Sequence, residues 1–268
     1  MKKFFILFVY LIASCTTSRV GVSNGGGNAS TSVVASNGKI FATAYQQRAA
    51  EYRALCYQAY NIARVRVDEI VKESSDKPKV IITDLDETAL NNSAFEAHQV
   101  LRGKDWESEA WYNWSSRIAA DTVPGSVDFF KYAASKGLEI FYVTNRGERE
   151  KEFTIKNLQK FNFPFADDAH LYPLQNTSSK ESRRQTIAEK HEIVMLLGDN
   201  LGDFSSFFDR KTVPERNDNV NALRNEFGNR FIVLPNPVYG DWENSLYNYQ
   251  ALTPAQRDSV IRASLYSY

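Results

Sequence analysis

The sequence predicts an α/β fold: a parallel sheet flanked by helices, with a small, mainly helical cap. Three observations carry that expectation. Four short apolar runs, at 80–82, 138–143, 193–197 and 231–234, have the length of buried strands. Helix-like stretches at 126–136, 148–160 and 181–190 lie between them. Every run ends in polar residues: Thr83-Asp84, Thr144-Asn145-Arg146-Gly147, Gly198-Asp199-Asn200 and Pro235-Asn236-Pro237. Strands that alternate with helices need crossover connections, so the sheet is parallel and covered on both faces. Open parallel sheets bind ligands at the carboxyl edge of their strands, so the pattern predicts one site built from four loops.

Composition narrows the class. The chain has 268 residues, 43% hydrophobic and 24% charged, which excludes a disordered, collagen-like or multi-spanning membrane protein. Its formal net charge is +0, which argues against general electrostatic binding of nucleic acid. The 14 Tyr and 17 Phe give material for a core and for a stacking pocket.

The first segment reads as an export signal. Lys2 and Lys3 precede an apolar run from Phe4 to Ala13, too short for a membrane-spanning helix but suited to a signal peptide over residues 1–14. It ends Ile12-Ala13-Ser14-Cys15, which resembles a bacterial lipobox and implies lipidation of Cys15. Acyl chains there would hold the protein to a membrane in the cell envelope, expected to be the bacterial outer membrane, while the fold stays soluble. Cys56 then has no partner and no disulfide is expected within the chain. Residues 15–38, with Gly25-Gly26-Gly27 among small polar residues, read as the lipidated cysteine and a tether reaching roughly 25 Å. The folded domain is expected to occupy 39–268.

Residues 43–74 show helical spacing through Tyr45, Ala49, Tyr52, Leu55, Tyr60, Ala63, Val67 and Ile70, and Pro78 marks the end of that segment. The first strand then delivers Asp84-Leu85-Asp86-Glu87-Thr88. Two carboxylates two residues apart can divide the labour, one as nucleophile and metal ligand, the other as proton donor and acceptor. A calcium loop is the competing reading, and it lacks the central Gly and further acids of an EF-hand. Residues 95–122, with Trp106, Trp111 and Trp114, interrupt the alternation and are expected to form the cap over the site.

The remaining loops add weaker signals. Thr144 and Asn145 follow the second strand, where a hydroxyl and backbone N–H groups can hold an anionic oxygen. Lys180 opens a helix and can neutralise phosphate charge. Asp199 follows the third strand and can complete an oxygen site for Mg²⁺, with Asp203 orienting a water or the lysine. His98, His170 and His191 are scattered without metal-ligand spacing, and no Gly-x-Ser-x-Gly elbow is present.

The order Asp-x-Asp, Thr, Lys, Gly-Asp-x-x-x-Asp resembles the haloacid dehalogenase (HAD) superfamily. The runs Ile82-Thr83-Asp84-Leu85-Asp86-Glu87-Thr88-Ala89-Leu90-Asn91-Asn92-Ser93 and Met195-Leu196-Leu197-Gly198-Asp199-Asn200-Leu201-Gly202-Asp203-Phe204 resemble the two-part signature of its bacterial class C acid phosphatases. The likeness spans roughly 45–246, with Ala89 and Phe95 as small departures at the cap or pocket wall. It implies a HAD-like Rossmannoid sheet and a lipid-anchored, Mg²⁺-dependent phosphomonoesterase, with 5′-nucleotidase action on substrates such as nicotinamide mononucleotide or AMP. It further implies Asp84 as nucleophile and Asp86 as acid and base. Asp84, the Asp86 backbone carbonyl and Asp199 would hold Mg²⁺. Thr144, Asn145 and Lys180 would hold the phosphate oxygens, with Asp203 behind them. Asn91, Trp111 and Tyr239 are implied at the substrate pocket, and relatives suggest a homodimer. Two alternatives stay open: a phosphatase for non-nucleotide esters, and a non-catalytic surface lipoprotein that uses the fold to bind a ligand.

Overall fold

The computed structural model describes residues 33–268. The expected signal peptide, Cys15 and most of the tether lie outside the described residues. Helix α1 (Val33–Arg48) begins inside the stretch read as tether, so the last residues of that stretch are helical. The single helix expected over 43–74 is two. Ala49 takes extended backbone angles between α1 and α2 (Ala50–Ile70), and the second helix stops short of the expected end.

Helix α2 buries Tyr52, Cys56, Ala59, Tyr60, Ala63, Val67 and Ile70 on one stripe. Tyr45 and Leu55, counted in the expected stripe, are instead exposed at 37% and 42%. Cys56, the free cysteine, is a small core residue.

The chain continues through β1 (Lys79–Thr83), β2 (Leu90–Asn91), α3 (Ser93–Leu101), α4 (Ser108–Ser115), β3 (Asp121–Thr122), α5 (Ser126–Ser135), β4 (Glu139–Gly147), α6 (Lys151–Lys160), β5 (Leu171–Leu174), α7 (Glu181–Ala188), β6 (Glu192–Gly198), α8 (Val213–Ala222), β7 (Phe231–Val233), α9 (Asp241–Leu246) and α10 (Pro254–Ser264). Five strands form one parallel sheet in the order β5-β4-β1-β6-β7.

Both faces of the sheet are covered, which is why its strands are mostly apolar runs. Ile81, Ile140, Tyr142, Met195, Leu197 and Ile232 join the core shared with α2 and α5. Their neighbours Val80, Ile82, Phe141, Val143, Leu196 and Phe231 join a second core with Ile187 of α7. The alternation follows from successive side chains pointing to opposite faces of a strand.

Strand β5 has no counterpart among the four expected strands. Its sequence, Leu171-Tyr172-Pro173-Leu174, is short and contains a proline, which a sheet tolerates at an edge because the ring has no N–H to donate. The second expected strand also runs further than its apolar part: β4 continues through Thr144-Asn145-Arg146 to Gly147.

The cap region is helical as α3 and α4, and β2 and β3 pair antiparallel across its base, Leu90 with Thr122 and Asn91 with Asp121. No helix among the described residues is long and apolar enough to cross a membrane.

Candidate active site

The loop after β1 turns sharply beside the sheet. The Asp84 N–H still donates to Leu197 O at 2.9 Å, as if β1 continued. Glu87 then adopts a left-handed φ of 59°, which folds the next residues back so that Leu90 N reaches Leu85 O. This places Asp84 and Asp86 at the carboxyl edge of the central strand.

The carboxyl ends of the four other strands of the sheet, with their loops, converge there. Asp84, Asp86, Asn145, Lys180, Asp199, Asp203 and Tyr239 all line one cavity of about 390 Å³. Lys180, the residue before α7, is buried and donates to Asp84, and its Nζ lies 2.6 Å from Asp203 Oδ1. Asp203 also accepts from Asn200 N at 2.9 Å. Gly198 permits this packing: a Cβ there would fall inside the Asp203 carboxyl group.

Carboxylate oxygens of Asp84, Asp199 and Asp203 lie within 4.8 Å of one another. Asp199 is held by neutral donors, Asn236 Nδ2 at 2.8 Å and Thr88 Oγ1 at 3.3 Å. One ammonium does not balance three carboxylates, two of them buried and Asp199 half-buried. Burial pushes the Asp84 carboxyl up to about 7, with Lys180 opposing and Asp203 and Asp86 assisting. Burial, then repulsion from Asp84 and Asp203, holds Asp199 well above the usual carboxylate range. Burial works against the Lys180 charge, but Asp203 and Asp84 outweigh it and keep the ammonium protonated. A set of hard oxygen ligands with surplus negative charge fits a divalent cation of the Mg²⁺ or Ca²⁺ kind.

Asp86 faces away from that cluster. Its Oδ1 accepts from Arg146 Nη2 at 2.6 Å, Arg146 Nε at 3.0 Å and Asn92 Nδ2 at 2.7 Å. Its Oδ2 accepts only from Arg146 Nε, at 3.2 Å.

Three expected site residues do not line the cavity. Thr144 is fully buried, and its hydroxyl accepts from Arg146 N at 3.1 Å. Asn91 caps the turn into α3, accepting from Ser93 N at 2.9 Å. Trp111 packs edge-on against Phe95 at 5.1 Å and lies over the Arg146 guanidinium at 5.4 Å. Of the two expected aromatic residues Tyr239 is the one that reaches the cavity, which Tyr249 also lines. Tyr239 also lines an adjoining groove of about 700 Å³ with Trp106, Tyr247 and Leu252, and its hydroxyl donates to Glu87.

Arg146, Asn92, Asn236 and Arg183 carried no role in the sequence reading. Arg183 is buried and joins the loops, donating to Thr144 O, Pro173 O and Asn145 Oδ1. In the sequence it stands in a helix-opening run of polar residues, and nothing local distinguishes it from Arg184 beside it.

A parallel sheet with an aspartate-lined cavity at its carboxyl edge, a lysine bridging two of the acids and a second Asp-x-Asp carboxylate on an arginine defines a phosphatase of the HAD type. A model of the HAD superfamily, subfamily IIIB (acid phosphatase), matches residues 10–242, so the chain belongs to that family. The class C acid phosphatase of Bacillus anthracis is similar, at TM-score 0.84 and 38% identity, covering 87% of this chain and 99% of that one. The same enzyme with tungstate bound is similar at TM-score 0.84 over 88% of this chain and 99% of that one. Acid phosphatase 1 of Solanum lycopersicum is 22% identical over 195 residues, 66% of this chain and 68% of that protein. The protein is an acid phosphatase of the class C type, a phosphomonoesterase.

Proposed function

We propose that the protein is an exported, lipid-anchored, Mg²⁺-dependent acid phosphatase that removes the 5′-phosphate from nucleotides. The observation that carries the chemistry is the trio Asp84, Asp199 and Asp203, within 4.8 Å, with Lys180 bridging Asp84 and Asp203. Asp84 and Asp199, with the Asp86 backbone carbonyl, would hold the ion. Bound there, Mg²⁺ supplies positive charge that offsets repulsion between carboxylate and phosphate.

The residues do the rest. Asp84 attacks phosphorus in line, and the bond to the leaving oxygen breaks as the aspartyl–phosphate bond forms. Asp86 gives its proton to the leaving oxygen and then takes one from the water that hydrolyses the aspartyl-phosphate. Lys180 and Asn145 hold phosphate oxygens, Thr144 fixes the Arg146 backbone next to Asn145, and Asp203 orients Lys180. Tungstate, bound in the Bacillus anthracis relative, is an oxyanion of phosphate-like charge and shape, which supports a phosphoryl site here. The groove beside Tyr239 supports a bulky leaving group with an aromatic face. The Cys15 lipobox supports the anchor and the envelope location.

The test is phosphate release from p-nitrophenyl phosphate, AMP and nicotinamide mononucleotide, each with Mg²⁺ and with EDTA. Metal-dependent release that favours the nucleotides is expected. Release from the aryl ester alone would keep the phosphatase and remove the nucleotide assignment. Full release in EDTA would remove the metal.

A further inference from the structure

We infer that α4 is the positioning element for Asp86, acting through Trp111 and Trp114, and that it determines how well the enzyme handles poor leaving groups. The inference rests on the reading of Asp86 as proton donor and acceptor.

Two side chains hold the Asp86 carboxylate: Arg146 and Asn92. Each is in turn held by one tryptophan of α4. Trp114 Nε1 donates to Asn92 Oδ1 at 2.9 Å. The Trp111 ring covers the Arg146 guanidinium at 5.4 Å. Trp111 and Trp114 are three residues apart on a helix, so they share one face. Phe95 of α3 packs against both, at 5.1 and 6.4 Å.

The bonding has a direction. Asn92 cannot rotate its amide without losing Trp114, so its Nδ2 stays aimed at Asp86 Oδ1. Arg146 Nη2 also reaches Asn92 Oδ1, at 3.3 Å, and its Nη1 reaches Thr154 Oγ1 of α6, also at 3.3 Å. With Oδ1 accepting three N–H groups, Oδ2 is the oxygen with capacity left for a proton, and Asp86 lines the cavity. The cap helix thus selects which carboxyl oxygen of Asp86 serves the reaction.

The consequence is specific to the leaving group. p-Nitrophenolate departs without a proton, whereas the alkoxide of a nucleoside needs one. Loosening Asp86 therefore slows phosphoenzyme formation from an alkyl ester and spares it for the aryl ester. The later hydrolysis of the phosphoenzyme is common to both substrates, so any slowing of that step lowers kcat for both, and the selective effect is read in kcat/KM.

Trp114→Phe removes the N–H and keeps an aromatic ring against Phe95. Its kcat/KM should fall about tenfold or more for AMP or glycerol 3-phosphate, and several-fold less for p-nitrophenyl phosphate. Trp111→Leu should act in the same sense through Arg146, and Arg146→Lys more strongly. Thermal midpoints check that each variant folds. Equal loss of kcat/KM on alkyl and aryl esters in folded Trp114→Phe and Trp111→Leu would overturn the inference. A folded Asp86→Asn variant with wild-type kcat/KM on both alkyl and aryl esters would instead overturn the reading of Asp86 beneath it.

Discussion

The hydroxyl of Tyr239, half-buried at the cavity wall, donates to the fully buried Glu87, 152 residues earlier and beside the catalytic loop. The same carboxylate accepts from Asn92 N at 2.8 Å and Gln46 Nε2 at 3.2 Å. One buried group therefore ties α1, the turn after Asp86 and the loop after β7.

Tyr239→Phe should accordingly destabilise the protein by about 1–3 kcal/mol, because a buried carboxyl oxygen loses its donor. Burial pushes Glu87 up to about 8, with Asp86 assisting and Tyr239 and Asn92 opposing. The folded protein thus holds this proton over a range where the unfolded chain has released it. Urea unfolding should show a larger loss at pH 8 than at pH 5. Equal losses would mean that Glu87 does not depend on Tyr239 for its charge.

Stability without metal should depend on pH in an unusual direction. Burial raises Asp84 and Glu96 to about 7, as well as Glu87 to about 8. A raised carboxyl binds its proton more tightly in the folded state, so folding is favoured below the unfolded pKa and weakened as pH rises through the folded one. The thermal midpoint of EDTA-treated protein should fall between about pH 4.5 and 8. Mg²⁺ should restore it most at the upper end, since the ion binds the ionised acids. A midpoint that rises over that range would contradict the assignment of uncompensated buried acids.

Gly198→Ala should cost activity out of proportion to its size. The added methyl collides with the Asp203 carboxyl, which orients Lys180 against Asp84. A displacement near 1 Å at such a site slows chemistry about a hundredfold. Steady-state kcat measures this directly, and kcat within twofold of wild type would show that Asp203 has room to move.

Asn236→Ala should weaken metal binding and leave the chemistry. Asn236 Nδ2 holds Asp199 Oδ2 at 2.8 Å. Loss of such an outer partner lowers metal affinity about 10–100-fold. A Mg²⁺ titration of activity should shift by that factor and recover near-wild-type kcat at saturation. An unshifted titration would place the ion elsewhere.

What was legible in the sequence divides by distance. Strands β1, β4, β6 and β7 were legible because burial on both faces leaves a mostly apolar run, broken only by Glu139 in the segment 138–143. Asp84, Lys180 and Asp199 were legible because each sits directly after a strand or before a helix. Strand β5 was not, since Pro173 and a polar following loop erase its pattern. The break at Ala49 was not, because alanine carries no signal for extended backbone. Arg146 and Asn92 were read past because their partners lie in segments up to 60 residues away. Trp111, expected at the substrate pocket, packs over Arg146 in the fold.

The most direct test of the account is phosphate release by Asp84→Asn. Asparagine keeps the shape and cannot form the aspartyl-phosphate, so the account predicts a loss of at least about a thousandfold with p-nitrophenyl phosphate and Mg²⁺ in a protein whose thermal midpoint shows it folded. Wild-type turnover by that variant would contradict the assignment of Asp84, and with it the mechanism.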